Sequence, residues 1–413
     1  MNTVSYTESF KDSIRNLTEN YTYFWLNLPA GEIELSRRFS PRQQRENEKQ
    51  LDRQLKLHSK TLGEVHGQPN ARSVPIAFDT LKLLTGSSLL QNEDADADYF
   101  KKSEATTRQF VEEAKTFDPS LSQSDIHQAL RNLWVFNNIQ MIAGQQISLT
   151  PSSFAYSLLY PYTDNGLDSK ERTSEEKRAY IQWLDQWFQG NKYGPMDDWT
   201  AKIAELLLMI EKEYPSAIFS EVYMSLYAIH SAQTRSLLLH NVHSEYSEEL
   251  LSEITVEKGG TSVLVDGYLA AGALTPEQMD AFFEYGVVLQ LLDDIRDVEE
   301  DTINLHSTPF TRAASAGNLD CVAERLVAMT KHSAEKLSAL NRLHGRRIKE
   351  MVEQSCSFLI FETAASHPEY YSPYFLSWME VWMPLRPAYL RSLKHKFKKD
   401  MTAPQSFAAS HLF

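Results

Sequence analysis

The chain carries little cysteine: two residues, Cys321 and Cys356, among 413. They lie far apart, in neither a metal nor a redox spacing, so a disulfide scaffold is excluded and a reducing compartment is expected. A basic excess is missing as well. Lys and Arg total 41 against 55 Asp and Glu, giving a net charge of −14 and a pI near 5.4. Such a surface repels a polyanion, which sets nucleic acid aside as a partner. No uninterrupted apolar run approaches the roughly 18 residues of a membrane span. The start, MNTVSYTESFKDSIRN, has no basic segment followed by an apolar one. A soluble, cytoplasmic protein is expected.

Alternating strand patterns are nearly absent too. In their place, DIHQALRNLWVFNNIQMIAG (125–144), AKIAELLLMIEKEY (201–214) and EVYMSLYAIHSAQTRSLLLHNV (221–242) repeat apolar residues at three and four. With 42% hydrophobic and 11% aromatic residues the chain can bury a substantial core. The expected fold class is all-α, a single large helical bundle. Thr275-Pro276-Glu277-Gln278 and Thr173-Ser-Glu-Glu176 read as capping boxes. Gly259-Gly260 reads as a helix break and Gly272 as a helix stop. No repeat or low-complexity linker is found.

Three regions are expected: a peripheral helical layer over 1–80, a helical core over 81–372, and an aromatic, basic helix and tail over 373–413. In the tail, Lys394, His395, Lys396, Lys398 and Lys399 follow Trp378 and Trp382. Such a segment suits peripheral contact with an anionic membrane. A solvated terminal helix is the more ordinary reading.

Two decoys are set aside. Asp94-Ala-Asp96-Ala-Asp98 opens like a calcium loop, but Tyr99 stands where glycine is needed and Ala105 where a bidentate glutamate belongs, so a polar turn is expected. His230, His240 and His243 lack a fourth zinc ligand and a suitable spacing.

The chemistry concentrates in LQLLDDIRDVEED, residues 289–301. In a helix Asp293, Asp297 and Asp301 share one face, with Asp294 one step around. The preceding Val287, Val288, Leu289, Leu291 and Leu292 are apolar almost all round, as in a buried helix. Carboxylates held there need a cation, and magnesium suits hard oxygen ligands completed by water and phosphate. A second cluster, LLYPYTDNGLDSKE (158–171), sets Asp164 and Asp168 at the same i, i+4 spacing after another aromatic and apolar run. If the two helices face each other across a bundle, four or more carboxylates converge on one site.

At these residues the sequence resembles the class I isoprenoid synthases. Gly286-Val-Val-Leu-Gln290-Leu-Leu-Asp293-Asp294-Ile-Arg-Asp297 is similar to the G-x-x-x-Q-x-x-D-D-x-x-D helix of chain-elongating prenyltransferases. Ile295-Arg296-Asp297-x-x-Glu300-Asp301 resembles the end of the squalene and phytoene synthase motif. Lys258-Gly-Gly-Thr261 sits where those prenyltransferases carry a Lys-Thr pair at a helix irregularity. The resemblance covers about residues 130 to 330.

It implies an active-site cavity between facing helices and three magnesium ions held by Asp164, Asp168, Asp293, Asp294, Asp297 and Asp301. Asp164, Asp168, Asp293 and Asp297 are the expected catalytic set. Lys258, Arg296 and Arg235 would bind the diphosphate of a prenyl substrate, with Gln290 and Thr261 positioning its oxygens. Phe154, Tyr156, Tyr160, Phe282 and Phe283 are candidate cavity walls, although ordinary helix core is the commoner role for any one of them. Dimerisation is implied by the resemblance alone.

Departures choose the branch. Asn165 replaces a carboxylate of the first motif, no arginine pair follows it, and the N-terminal third lacks the G-K-x-R-P signature for a second diphosphate. A terpene synthase that cyclises or eliminates one prenyl diphosphate is therefore expected. The alternatives are squalene- or phytoene-type condensation, chain elongation, or a catalytically idle helical protein that binds magnesium or a lipid diphosphate.

Overall fold

The computed structural model describes residues 8–31, 33–64, 93–169, 172–239 and 246–400. Among these residues there are helices and no strands, so the all-α reading holds. Compact packing divides the chain into two units. The first comprises Met1–Tyr23, Glu113–Leu238 and Glu253–Val287; the second comprises Phe24–Glu112, Leu239–Ser252 and Val288–Phe413. Neither unit is continuous in sequence.

Early helices are α1 (Glu8–Asn27), α2 (Pro41–Glu64) and α3 (Glu93–Phe117). Asp94, Asp96 and Asp98 lie in the first turns of α3, not in the polar turn expected. Acids there oppose the positive end of the helix dipole, which favours helix over turn.

The first unit is built on α4 (Gln123–Ile142), α5 (Pro151–Asp168), α6 (Ser174–Phe188), α7 (Asp198–Glu213) and α8 (Ser220–Ser236), with parts of α9 (Glu248–Ala271) and α10 (Pro276–Arg296). Their starts are written locally. Ser122, Thr150, Thr173 and Asp197 each cap a helix through reciprocal bonds with the third helical residue. Thr275 and Gln278 do the same for α10, as the sequence predicted. Each cap contributes about 1 kcal/mol. Helix α5 packs against both α4 and α7, with Leu133, Phe136, Leu158, Ile203 and Leu206 fully buried.

Gly259-Gly260 does not break α9, which runs unbroken to Ala271. The glycines instead allow close helix packing. A Cβ on Gly286 of α10 would sit 2.1 Å from the Gly259 carbonyl oxygen, and one on Gly260 would meet the Phe283 ring at 2.4 Å. Gly272 does stop the helix: its φ of +77° is left-handed, and its N–H reaches the Tyr268 carbonyl at 2.7 Å.

In the second unit α11 (Val298–Ile303) and α12 (Pro309–Ser315) lead to α13 (Asp320–Leu340), which packs along α14 (Gly345–Ser366). After α15 (Pro373–Glu380), α16 (Pro387–Asp400) returns to α14. Trp382 is buried, and Trp378 stands edge-on to Phe361 at 5.6 Å, so both tryptophans pack within the protein. Lys394 pairs with the buried Glu362 and His395 is exposed. The side chains of Lys396, Lys398 and Lys399 lie outside the described residues. Among the described residues no helix is long and apolar enough to cross a membrane.

Gly286→Ala should force α9 and α10 apart, because the obstructing atom is backbone that no rotamer change can clear. The expected loss is about 1–3 kcal/mol of stability, read from urea unfolding midpoints; an unchanged midpoint would refute the close crossing.

Candidate active site

In the first unit, α5 carries the first acidic motif in its last turns. Gly166 lets that end lie against Trp199, whose ring would be 2.1 Å from any added Cβ. The Trp199 indole N–H donates to the Tyr162 carbonyl at 2.9 Å. Asp164 is half-buried, and Lys258 of α9 places its ammonium 3.5 Å from the Asp164 carboxylate. These two expected residues do come together. Asn165 donates its amide to Asp125 at 2.9 Å, and the side chain of Asp168, the last residue of α5, lies outside the described residues.

Two further expected residues of this unit are engaged with α9. Arg235 is forked between Glu257 at 2.5 Å and Glu253 at 2.7 Å, and these carboxylates hold its guanidinium in the charged form against burial. Both of its terminal nitrogens thus donate to α9. Thr261 is fully buried and donates its hydroxyl back to the Glu257 carbonyl at 2.6 Å, so it serves its own helix.

An apolar cavity of about 40 Å³ lies beside α5, lined in part by Tyr156, Tyr160, Leu184, Ile203, Leu226 and His230. Tyr160 is one turn and Tyr156 two turns back from Asp164. These two of the five expected walls line it; Phe282 and Phe283 are spent packing over Gly267 and Gly260, and Phe154 packs edge-on to Phe117. His230 is buried with Nε2 3.3 Å from Asp185, while His240 and His243 lie outside the described residues.

Periodicity alone missed Asp266. This residue of α9 is fully buried; its Oδ1 accepts from Asn132 Nδ2 at 3.4 Å, and its Oδ2 has no hydrogen-bond partner among the described residues. Burial pushes its carboxyl well above the ordinary range, and the Asn132 bond only partly offsets that.

In the second unit, the second motif spans a small break. Asp297 separates α10 from α11, yet its N–H still reaches the Asp293 carbonyl at 3.0 Å and Asp301 N–H reaches the Asp297 carbonyl at 2.8 Å. The spacing of four thus survives the interruption. Asp297 is exposed, Asp293, Asp301 and Arg296 are half-buried, and Asp294 is buried. Gln290 donates to Asp294 at 2.9 Å. Burial raises the Asp294 carboxyl to about 7, helped by Asp301 and Asp293 and opposed by Gln290 and His306. His306 was not anticipated: Leu305, at φ +56°, turns the chain so that His306 Nδ1 comes within 3.2 Å of Asp301 Oδ1. A side chain returning past a left-handed residue leaves no periodic signal in sequence.

Among the described residues no three His, Cys, Asp or Glu side chains gather as a ready metal cage. Magnesium does not need one, since it commonly takes one or two carboxylates and draws its other ligands from water and phosphate. The half-buried Asp164 and Asp293 and the exposed Asp297 offer hard oxygen donors of that kind.

No protein-family model matches the chain, and no curated protein matches it in sequence. Among solved structures it is similar to a geranylgeranyl pyrophosphate synthetase from the archaeon Geoglobus acetivorans, at 11% identity over 76% of this chain and 98% of that one, with a TM-score of 0.30. It is also similar to a geranylgeranyl pyrophosphate synthase from Corynebacterium glutamicum, at 14% identity over 80% and 98%, with a TM-score of 0.32. At such scores, fold and chemistry must be argued from the chain itself.

The burial of Asp266 has a thermodynamic sign. Its folded pKa lies above the ordinary 3.8, so above that pH the native state keeps a proton that the unfolded chain releases, and stability falls as pH rises towards the folded value. Asp266→Asn removes this cost. The variant should gain stability over wild type at pH 7 relative to pH 4, measured by urea unfolding at both; an identical difference at the two pH values would contradict the buried, neutral acid.

Proposed function

We propose that this protein is a magnesium-dependent isoprenoid synthase that ionises an allylic prenyl diphosphate and releases pyrophosphate, cyclising or eliminating a single substrate. The observation that carries this reading lies in the first unit: Asp164 and Lys258 meet at 3.5 Å, and the next two turns of α5 present Tyr160 and Tyr156 to an apolar cavity. A charged pair above an aromatic wall suits a ligand with a diphosphate head and a hydrocarbon body.

In this reading Asp164 and Asp168 would offer magnesium the carboxylates of the first unit, and Asp293, Asp297 and Asp301 would offer those of the second, with the buried Asp294 and its partner Gln290 bracing the second motif. Bound magnesium would neutralise charge developing on the leaving diphosphate. In the first unit Lys258 would donate a charge-assisted hydrogen bond to that group, and in the second Arg296 is the cation beside the acidic motif. Tyr160 and Tyr156 exclude water and turn ring faces towards the cation. Arg235 and Thr261, engaged within the helices, are left out of the set. The sequence offers one diphosphate-binding pattern and not the second that chain elongation uses, which favours chemistry on one substrate.

The test is incubation with geranyl, farnesyl and geranylgeranyl diphosphates, singly and with isopentenyl diphosphate, with and without magnesium. Pyrophosphate release with a product of unchanged carbon number is expected. A doubled or extended skeleton would move the protein to a condensing reaction, and silence on every substrate would leave a binding role. Asp164→Ala and Asp293→Ala should each lower turnover at least about 100-fold, since each removes metal-mediated charge stabilisation. Lys258→Ala should weaken inorganic pyrophosphate binding about tenfold in the presence of magnesium, by calorimetry. Unaltered binding would remove Lys258 from the site.

A further inference from the structure

The facing surfaces of α5 and α9 are in antiparallel register. Asp164 meets Lys258 at one level. Further along, the Tyr156 hydroxyl donates to the Ser262 carbonyl at 2.9 Å. On α9, Lys258, Ser262 and Asp266 follow one another at intervals of four and share a face. Asp266 therefore lies about 12 Å along the helix from Lys258, at the level where α5 contributes Ser157. There Asn132 of α4 donates to both Ser157 Oγ, at 3.3 Å, and Asp266 Oδ1, at 3.4 Å.

This arrangement decides where the proton sits. Oδ1 accepts from the Asn132 amide, so the neutral carboxyl carries its proton on Oδ2. That oxygen is buried and has no partner among the described residues. Its O–H is held by no acceptor among the described residues, and the buried Tyr156 is near enough to feel the charge of this carboxyl. An asparagine would fill the same volume without the cost of burying an ionisable group, so packing does not account for the acid.

We infer that Asp266 is a catalytic proton donor and acceptor for hydrocarbon chemistry in the first unit, acting on an alkene carbon two helical turns from the diphosphate head. The inference rests on the isoprenoid synthase reading and deepens it. In the donating step the Asp266 O–H bond breaks and the proton bonds to an alkene carbon through the π pair, leaving a tertiary cation and a carboxylate. In the accepting step a neighbouring C–H bond gives its electron pair to a new double bond and its proton to that carboxylate. The acid is regenerated and no oxidant or reductant is consumed. Asn132 is a positioning residue, keeping Oδ1 engaged so that Oδ2 carries the transferable proton.

Carboxyl protons exchange with solvent and carbon-bound ones do not, so deuterium oxide tests the idea. Wild-type protein incubated in it with a prenyl diphosphate should give a product bearing one or more carbon-bound deuterium atoms by mass spectrometry. Asp266→Asn product should carry none, and Asp266→Glu, which restores a carboxylic acid, should recover label. Thermal melts establish that each variant is folded. Pyrophosphate release by wild type with deuterium-free product would overturn the role of Asp266 alone, as would an Asp266→Asn product that keeps its label. Absence of pyrophosphate release from wild type would instead remove the reading on which the inference rests.

Discussion

The crossing of α9 and α10 at Gly259, Gly260 and Gly286 is the constraint on which the candidate chemistry of the first unit depends. Two helices reach this separation only where one lacks side chains and the other offers a backbone to touch, and a methyl on Gly286 would meet a carbonyl oxygen at 2.1 Å. Glycine inside a helix costs about 1 kcal/mol relative to alanine. That cost is offset by the rings of Phe283 and Phe282, fully buried over Gly260 and Gly267. The crossing fixes the rotation of α9 about its axis. With that rotation set, Lys258 turns to Asp164, Ser262 to Tyr156 and Asp266 to Asn132.

Carboxylates in the protein divide by how their burial is compensated. Glu284 is fully buried and accepts from the Tyr21 hydroxyl at 3.1 Å, while Glu48 is buried and grips Arg386 through two nitrogens. Both are structural ties with a donor for their charge. Asp294 accepts from the Gln290 amide beside neighbouring acids, and burial raises its carboxyl to about 7. Asp266 has one long amide contact and rises well above the ordinary range. Carboxylates under-compensated in this way are candidates for acid–base or ligand chemistry.

Much of this was legible in sequence where the signal is local. Helix starts follow from Thr173, Thr275 and their third-residue partners, because a capping box is a bond between residues three apart. The stop at Gly272 follows from one left-handed residue. Asp164 and Lys258, each singled out in the sequence, lie 3.5 Å apart. What could not be read depends on partners distant in the chain. Gly259-Gly260 has the local signature of a break, and only the backbone of α10 turns it into a contact. Arg235 looks free until Glu253 and Glu257 arrive from another helix. Asp94 to Asp98 look like a turn until the helix dipole is counted, since α3 supplies the length that makes acids at its start favourable.

The same register grades polarity along the facing surfaces of α5 and α9. Along α5, Asp164 gives way after one turn to Tyr160 and after two to Tyr156; along α9, Lys258 gives way to the Ser262 backbone and then to Asp266. Polarity therefore falls along both helices in the same direction, from a charged pair to a phenol bonded to a carbonyl and then to a fully buried acid with one unpartnered oxygen. Charge stabilisation strengthens as water is excluded, so the charged pair does most for an anionic head at the wetter end. A neutral acid handles protons best where nothing competes for them, at the dry end. The register of α5 against α9, with the rotation of α9 set by its glycine crossing with α10, produces that gradient.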